Sequence, residues 1–261
     1  MAKTHYLNAT LKEFYNENGY AIIENVFDLK DAKIFNNCMR RHANKDFAAI
    51  INPDRYSSLI EQDERPKSDI TLEEIKETSA LALSIIKSEQ FIKILHFLHD
   101  KTVIGLSSQF IFKEAYSTYS KQAWNPHQDN YYPNNKNGAY LTLNWFLKDA
   151  DKENGTIYCY PGSHKLGLLD AKDNVSFREK VNTNPGSECI IPEEFKDKKK
   201  DLIIPGNSIV ILHGNCIHGS YPNNSNRSRP WFSSCYISEG EEFLIGKSSK
   251  RKKINLSNNI I

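Results

Sequence analysis

His127-Gln128-Asp129, with His218 well downstream, supplies two imidazoles and one carboxylate. That donor set can cover one face of Fe(II) and leave the opposite face open for a bidentate cosubstrate and dioxygen. Asn125-Pro126 immediately upstream favours extended backbone, because proline pushes the preceding residue out of the helical region. On an extended segment residues 127 and 129 point to the same side. His-x-Asp alone is common, so the reading depends on what accompanies it.

Arg229 follows His218 at the start of an apolar run, and a guanidinium there could bind a carboxylate bidentately. Arg227 has the same parity and competes for that role. Ser220, two residues after His218, would face the same interior and add a hydroxyl donor. Gln109 and Lys113 share strand parity and could line a cosubstrate pocket. Thr142, Asn144 and Trp145 lie on the following strand, with Trp145 a candidate for pocket or core. Tyr131 and Tyr132 directly follow the iron motif and could overhang the metal toward substrate. His164 reads as a turn-holding side chain and His213 as lying outside the metal sphere. His96 and His99 read as a half-buried helix face, and His5 and His42 have no supporting context.

These residues need a scaffold. The first hundred residues, about 1–100, read as mainly helical around one strand at Tyr20–Val26. Leu11, Phe14 and Tyr15 share a helix face that Gly19 ends, and a second helix runs from Asp28 toward Arg41. Thr71-Leu72-Glu73-Glu74 resembles a capping box opening a helix to about Lys87, and another helix spans Glu89 to Leu98. Beyond residue 100 come β-branched and aromatic runs at Val103–Phe112, Tyr140–Leu147, Thr156–Tyr160, Ser208–Leu212 and Trp231–Ile237. Short strands separated by turn residues predict a mainly β fold, a jelly roll over about 101–240, with helices packed on one outer face. Asn44–Lys67 reads as a loop or lid. Leu166–Asp201 reads as an insertion that breaks the strand rhythm, and about 246–261 as a frayed basic tail. No repeat or linker divides the chain, so residues 1–261 are expected to form one domain.

Hydrophobic residues make up 39% and charged residues 25% of the 261, enough apolar mass for a core. A formal charge of +2 does not point to nucleic acid as a principal partner. No apolar run approaches the about 18 residues of a membrane span, and the N-terminus lacks an apolar signal core, so cytoplasmic residence is the default expectation. Five cysteines (Cys38, Cys159, Cys189, Cys216, Cys235) without a Cys-x-x-Cys pair argue against a zinc knuckle or disulfide framework. Cys159, Cys216 and Cys235 read as small core residues.

Four segments resemble the phytanoyl-CoA dioxygenase family of Fe(II)- and 2-oxoglutarate-dependent oxygenases. They are Phe14–Val26, Pro126-His127-Gln128-Asp129, Asn154-Gly155 through Pro161-Gly162-Ser163-His164-Lys165, and Pro205-Gly206-Asn207 through His218 to Arg229. The resemblance implies a double-stranded β-helix (cupin-like) core, with iron on His127, Asp129 and His218. It also implies 2-oxoglutarate on Arg229 with Ser220 assisting. Two departures stand out: Pro126 where an aromatic residue is usual, and Asn207 where the family usually has Asp. The implied reaction hydroxylates an unactivated C–H of a small molecule with O2, releasing succinate and CO2. Asp129 favours hydroxylation over halogenation, since halogenases replace that carboxylate. The alternatives are a binding barrel without turnover and an oxygenase acting on a macromolecule. Substrate identity and oligomeric state are not encoded in any motif.

Overall fold

Asn8 caps the first helix, α1 (Ala9–Asn18), by accepting the Leu11 N–H, and Gly19 ends it at φ 75° with its N–H returned to the Tyr15 carbonyl. Only glycine fits there, since a Cβ would lie 2.5 Å from His164 Nδ1. The chain turns directly into β1 (Tyr20–Glu24). The structure, a computed structural model, describes residues 7–42, 72–99, 101–111, 113–173, 186–246 and 251–256. The Asn44–Lys67 loop, Thr71 and His5 lie outside that set, as does the side chain of His42.

Among the described residues, three more α-helices follow: α2 (Leu29–His42), α3 (Leu72–Ile86) and α4 (Glu89–Leu98), the last capped by Ser88. The strands are β2 (Val103–Ile111), β3 (Trp124–His127), β4 (Tyr140–Phe146), β5 (Ile157–Cys159), β6 (Ala171–Asp173), β7 (Ser187–Cys189), β8 (Lys200–Asp201), β9 (Ser208–His213), β10 (His218–Ser220) and β11 (Trp231–Ser238). They form an antiparallel five-stranded sheet ordered β1-β9-β4-β11-β2, a four-stranded sheet ordered β3-β10-β5-β8, and a β6-β7 hairpin. This is the predicted jelly roll with helices on one outer face.

Alternation along the large sheet sorts its side chains. Phe110, Trp145, Phe232 and Tyr236 face the helices, where Trp145 packs on Phe27 and Phe35, and Tyr236 Oη donates to the Ile86 carbonyl. The intervening residues (Gln109 on β2, Thr142 and Asn144 on β4, Ser233 on β11) face the smaller sheet across a cavity. The apolar side of the sheet therefore attaches the helices, while the more polar side is kept for chemistry.

Several expectations change. Trp145 is only 1% exposed, on the helix side, with its Nε1 donating to Asn207 Oδ1 at 3.1 Å, so it is not a pocket residue. His127 and Asp129 are not on one strand: β3 ends at His127, and Asp129 begins a 3-10 turn, Asp129–Tyr131. The 166–201 insertion is partly strand, holding β6, β7 and β8. β2 ends at Ile111, and Lys113 sits beyond it at φ 43°, so strand parity does not set its direction. The tail is not frayed over 251–256: Ile254 exchanges both backbone hydrogen bonds with Gly105, and Ile254 and Leu256 are buried. Cys159 and Cys216 are core residues, but Cys235 faces the cavity. His96 is exposed rather than half-buried. No helix among the described residues is long and apolar enough to cross a membrane.

Candidate active site

β10 lies between β3 and β5 in the smaller sheet, with His218 opposite His127 on one side and Cys159 on the other. That register brings the two imidazoles together, with ring centroids 4.4 Å apart. The turn after β3 then swings the Asp129 carboxylate between them. Asp129 Oδ1 is 3.5 Å from His127 Nε2 and 3.6 Å from His218 Nε2. One ligand atom from each of the three residues fits within a 4.8 Å cluster.

The donor chemistry fits a divalent metal. His127 Nδ1 is 2.7 Å from the Asn125 carbonyl, and His218 Nδ1 is 2.9 Å from the Cys216 carbonyl. A carbonyl only accepts, so each Nδ1 carries the proton and each Nε2 offers its lone pair to the cluster. Burial pushes the His218 imidazole down, toward the neutral form a ligand requires, with Asp129 partly opposing. Burial pushes the Asp129 carboxyl up, but His218, then His127 and Thr142, more than offset it and hold it at about 2. A carboxylate with two neutral imidazoles is the protonation state that binds Fe(II). Thr142 Oγ1 donates to Asp129 Oδ2 at 3.4 Å, and Asn144 Nδ2 donates to Thr142 Oγ1 at 2.9 Å, so β4 steadies the carboxylate from outside the cluster.

Gln128, between the two ligands, points away and is 1% exposed. Its Nε2 donates to the Gly167 and Asn215 carbonyls, and its Oε1 accepts the Leu169 N–H. It thus pins two loops to the metal turn.

The triad opens into a cavity of about 430 Å³. Gln109, Thr142, Asn144, Tyr132 and Ser220 line it, whereas Tyr131 does not and instead meets the Tyr132 ring edge-on. The Tyr132 hydroxyl accepts the Ser187 N–H at 2.8 Å, and Gly186 reaches the cavity wall, so β7 closes one side. Arg229 is fully buried just before the start of β11, its guanidinium 3.9 Å from the ring centre of Trp231, which does line the cavity. Arg227 is at the surface, paired with Asp151 at 2.7 Å.

Lys113, also fully buried, donates to Ser220 Oγ at 3.2 Å and to the Tyr221 carbonyl. Burial, and then the charge on Arg229, push its ammonium well below the usual lysine range. Asn223 fastens this corner by donating to the Lys113 and Arg227 carbonyls. His164 and His213 lie away from the triad. His164 Nε2 is 3.0 Å from the Asn16 carbonyl, and its ring is 5.0 Å from that of His213. Ser107, Tyr140, Ser233 and Arg251 also line the cavity and were not singled out from sequence, as does Cys235, expected there to be a core residue. Strand alternation around Gln109 and Thr142 could have found Ser107 and Tyr140, but no local signal marks Arg251.

The jelly roll and its two-histidine, one-carboxylate cluster are the fold and donor set of the non-haem iron oxygenase class. Within it, residues 15–231 match the phytanoyl-CoA dioxygenase (PhyH) family, and the chain belongs to that family. Among curated relatives it is 30% identical over 146 residues to a probable alpha-ketoglutarate-dependent hypophosphite dioxygenase of Stutzerimonas stutzeri. That match covers 54% of this chain and 48%, about half, of the relative's length. It is 23% identical to a phytanoyl-CoA dioxygenase of Arabidopsis thaliana, covering 89% of each chain. The fold is shared with the epimerase SnoN, solved with Fe3+, alpha-ketoglutarate and nogalamycin RO, at TM-score 0.67 and 17% identity, covering 92% of this chain and 87% of that one.

Proposed function

We propose that this protein is an Fe(II)- and 2-oxoglutarate-dependent dioxygenase that hydroxylates an unactivated C–H bond of a small molecule. The observation that carries the reading is the convergence of two tautomer-fixed Nε2 atoms and an ionised carboxylate on one point of a cavity wall. When bound there, Fe(II) with 2-oxoglutarate and O2 supplies an oxidising equivalent for the C–H bond, with succinate and CO2 released.

The protein's own part is placement. His127, Asp129 and His218 hold the metal from one face. Ser220 and Lys113, with the Arg229 charge behind Trp231, form a cationic corner suited to the distal carboxylate of 2-oxoglutarate. Trp124, Ile157 and Leu212 help wall the cavity and limit water. A volume of about 430 Å³ suits a small molecule.

The test begins with anaerobic addition of Fe(II) and 2-oxoglutarate to the metal-free protein. A visible metal-to-ligand charge-transfer band is expected, absent in His218→Ala and weakened in Arg229→Ala. Under ¹⁸O2, turnover should put one labelled oxygen into succinate and one into an alcohol product. A properly metallated wild type without the band would end the oxygenase reading. A product without new oxygen would restrict it to another outcome of the same cofactors.

A further inference from the structure

We propose that Arg251 is a substrate-binding residue and that the substrate is a small molecule bearing a carboxylate or phosphonate group. This rests on the iron and 2-oxoglutarate reading above. The 251–256 segment is fixed to β2 by the paired Ile254 and Gly105 backbone bonds and by burial of Ile254 and Leu256. That attachment carries Arg251 onto the cavity wall, close enough to Tyr140 and Cys235 for its charge to act on both.

Its position is fixed before any ligand arrives. The Arg251 N–H donates to the Ile245 carbonyl at 2.9 Å, and Nη1 donates to the Leu244 and Ile245 carbonyls at 3.1 and 3.3 Å. Both side-chain bonds use one nitrogen, so Nε and Nη2 keep donors for a planar or tetrahedral oxyanion. The partners are neutral carbonyls, and among the described residues Arg251 forms no ion pair with a carboxylate. Within the cavity lining, Asp129 is the one acid among the described residues, and it is part of the metal triad. Among the described residues, the positive charge at Arg251 therefore has no counterpart in the cavity wall besides the metal ligand Asp129.

Direction separates this cation from the cosubstrate corner. Along β11, Trp231, Ser233 and Cys235 face the cavity in turn, a run of about 13 Å at strand rise. Arg229 stacks on Trp231 at one end, and Arg251 acts on Cys235 at the other. The metal ligands line the opposite wall, with Asp129 held by Thr142, the strand partner of Cys235. A 2-oxoglutarate anchored at Lys113 and Ser220 leaves Arg251 for the molecule to be oxidised.

The experiment uses the full chain with Fe(II) and saturating 2-oxoglutarate, without oxygen, and titrates butyrate, propylphosphonate and neutral butyramide. Butyrate or propylphosphonate should bind at least about tenfold tighter than butyramide, the scale of one charge-assisted pair. Arg251→Gln should erase that ratio while leaving the charge-transfer band and the 2-oxoglutarate affinity unchanged, and Arg251→Lys should retain part of it. Which anion prevails distinguishes a carboxylate from a phosphonate substrate. Wild-type protein with a normal band and no preference for the anions would overturn the proposal. So would a loss of 2-oxoglutarate affinity in Arg251→Gln with the chain still folded, since Arg251 would then serve the cosubstrate. If wild type shows no band, the iron reading has failed, and titrating the same anions on the metal-free wild type and Arg251→Gln still decides whether Arg251 binds them. If Arg251→Gln melts early, Arg251→Lys decides: an anion preference retained supports the role, and one lost with the band intact overturns it.

Discussion

Lys113 is buried beside Arg229 with its amine on Ser220 Oγ, and burial together with that neighbouring charge depresses its affinity for a proton. An incoming carboxylate would reverse this, because an adjacent anion favours the ammonium form. Binding of 2-oxoglutarate should therefore take up protons, more at higher pH, where more of the free protein has Lys113 neutral. Calorimetry in buffers of different ionisation enthalpy measures this directly. Lys113→Met should abolish the uptake and weaken 2-oxoglutarate by about tenfold or more. Unchanged proton uptake in that variant would remove Lys113 from the cosubstrate corner. A second residue-scale feature is Asn207, at φ 63°, whose amide donates to the Phe27 carbonyl at 2.7 Å and accepts from Trp145 at 3.1 Å. An aspartate could not make both bonds, so the departure from the family's usual residue has a local cause.

At the scale of elements, β10 is the tightest point in the site. It is three residues long, between β3 and β5, and contributes both His218 and Ser220. Gly219 between them has no room for a side chain: a Cβ would sit 2.4 Å from Tyr158 Oη and 2.5 Å from the Trp124 carbonyl. Gly219→Ala must displace the strand, moving the His218 imidazole and the Ser220 hydroxyl together. The expected cost is about 1–3 kcal/mol of stability from overpacking. Fe(II) affinity should fall by about 10–100-fold, as when the support of a ligand is disturbed. Parallel thermal melts and Fe(II) titrations would measure both. Loss of stability with unchanged metal affinity would mean that β10 does not set the ligand geometry.

For the whole molecule, one cluster of buried apolar residues joins the helices to the large sheet, and the triad lies on the other side of that sheet. His213, at the end of β9, belongs to this framework and not to the metal site. Its ring lies near Tyr15 and His164, and burial, followed by the charges of His164 and His99, lowers it to about 4. Because the unfolded chain titrates near 6.5, it binds more protons than the folded chain as pH falls below that value. Stability should then be full above about pH 6.5 and decline as pH falls toward 4, by about 2 kcal/mol at pH 5 from this residue. Urea unfolding at pH 7.5 and pH 5 tests this, with His213→Gln expected to show a smaller difference between the two. An equal difference in both proteins would exclude His213 as the source.

The sequence by itself determined the class of fold and the family, because those rest on local patterns: strand-length apolar runs, helix caps, and motifs short enough to be read in order. It also held a signal against Trp145 as a pocket residue, since alternation sets 145 opposite Thr142 and Asn144 on β4. Which arginine is buried, and what Lys113 touches, depended on the Asn223 turn and on the approach of β2 to β10, contacts between residues far apart in the chain. The meeting of Asp129 with both histidines came from a 3-10 turn and from the β3-β10 register, not from two positions on one strand. Arg251 was the least legible residue. Its neighbours read as a frayed basic tail, and only the pairing of Ile254 with Gly105 turned that segment back onto the cavity. Periodicity encodes which face of an element is apolar, whereas a cavity is formed by side chains that only long-range packing brings together.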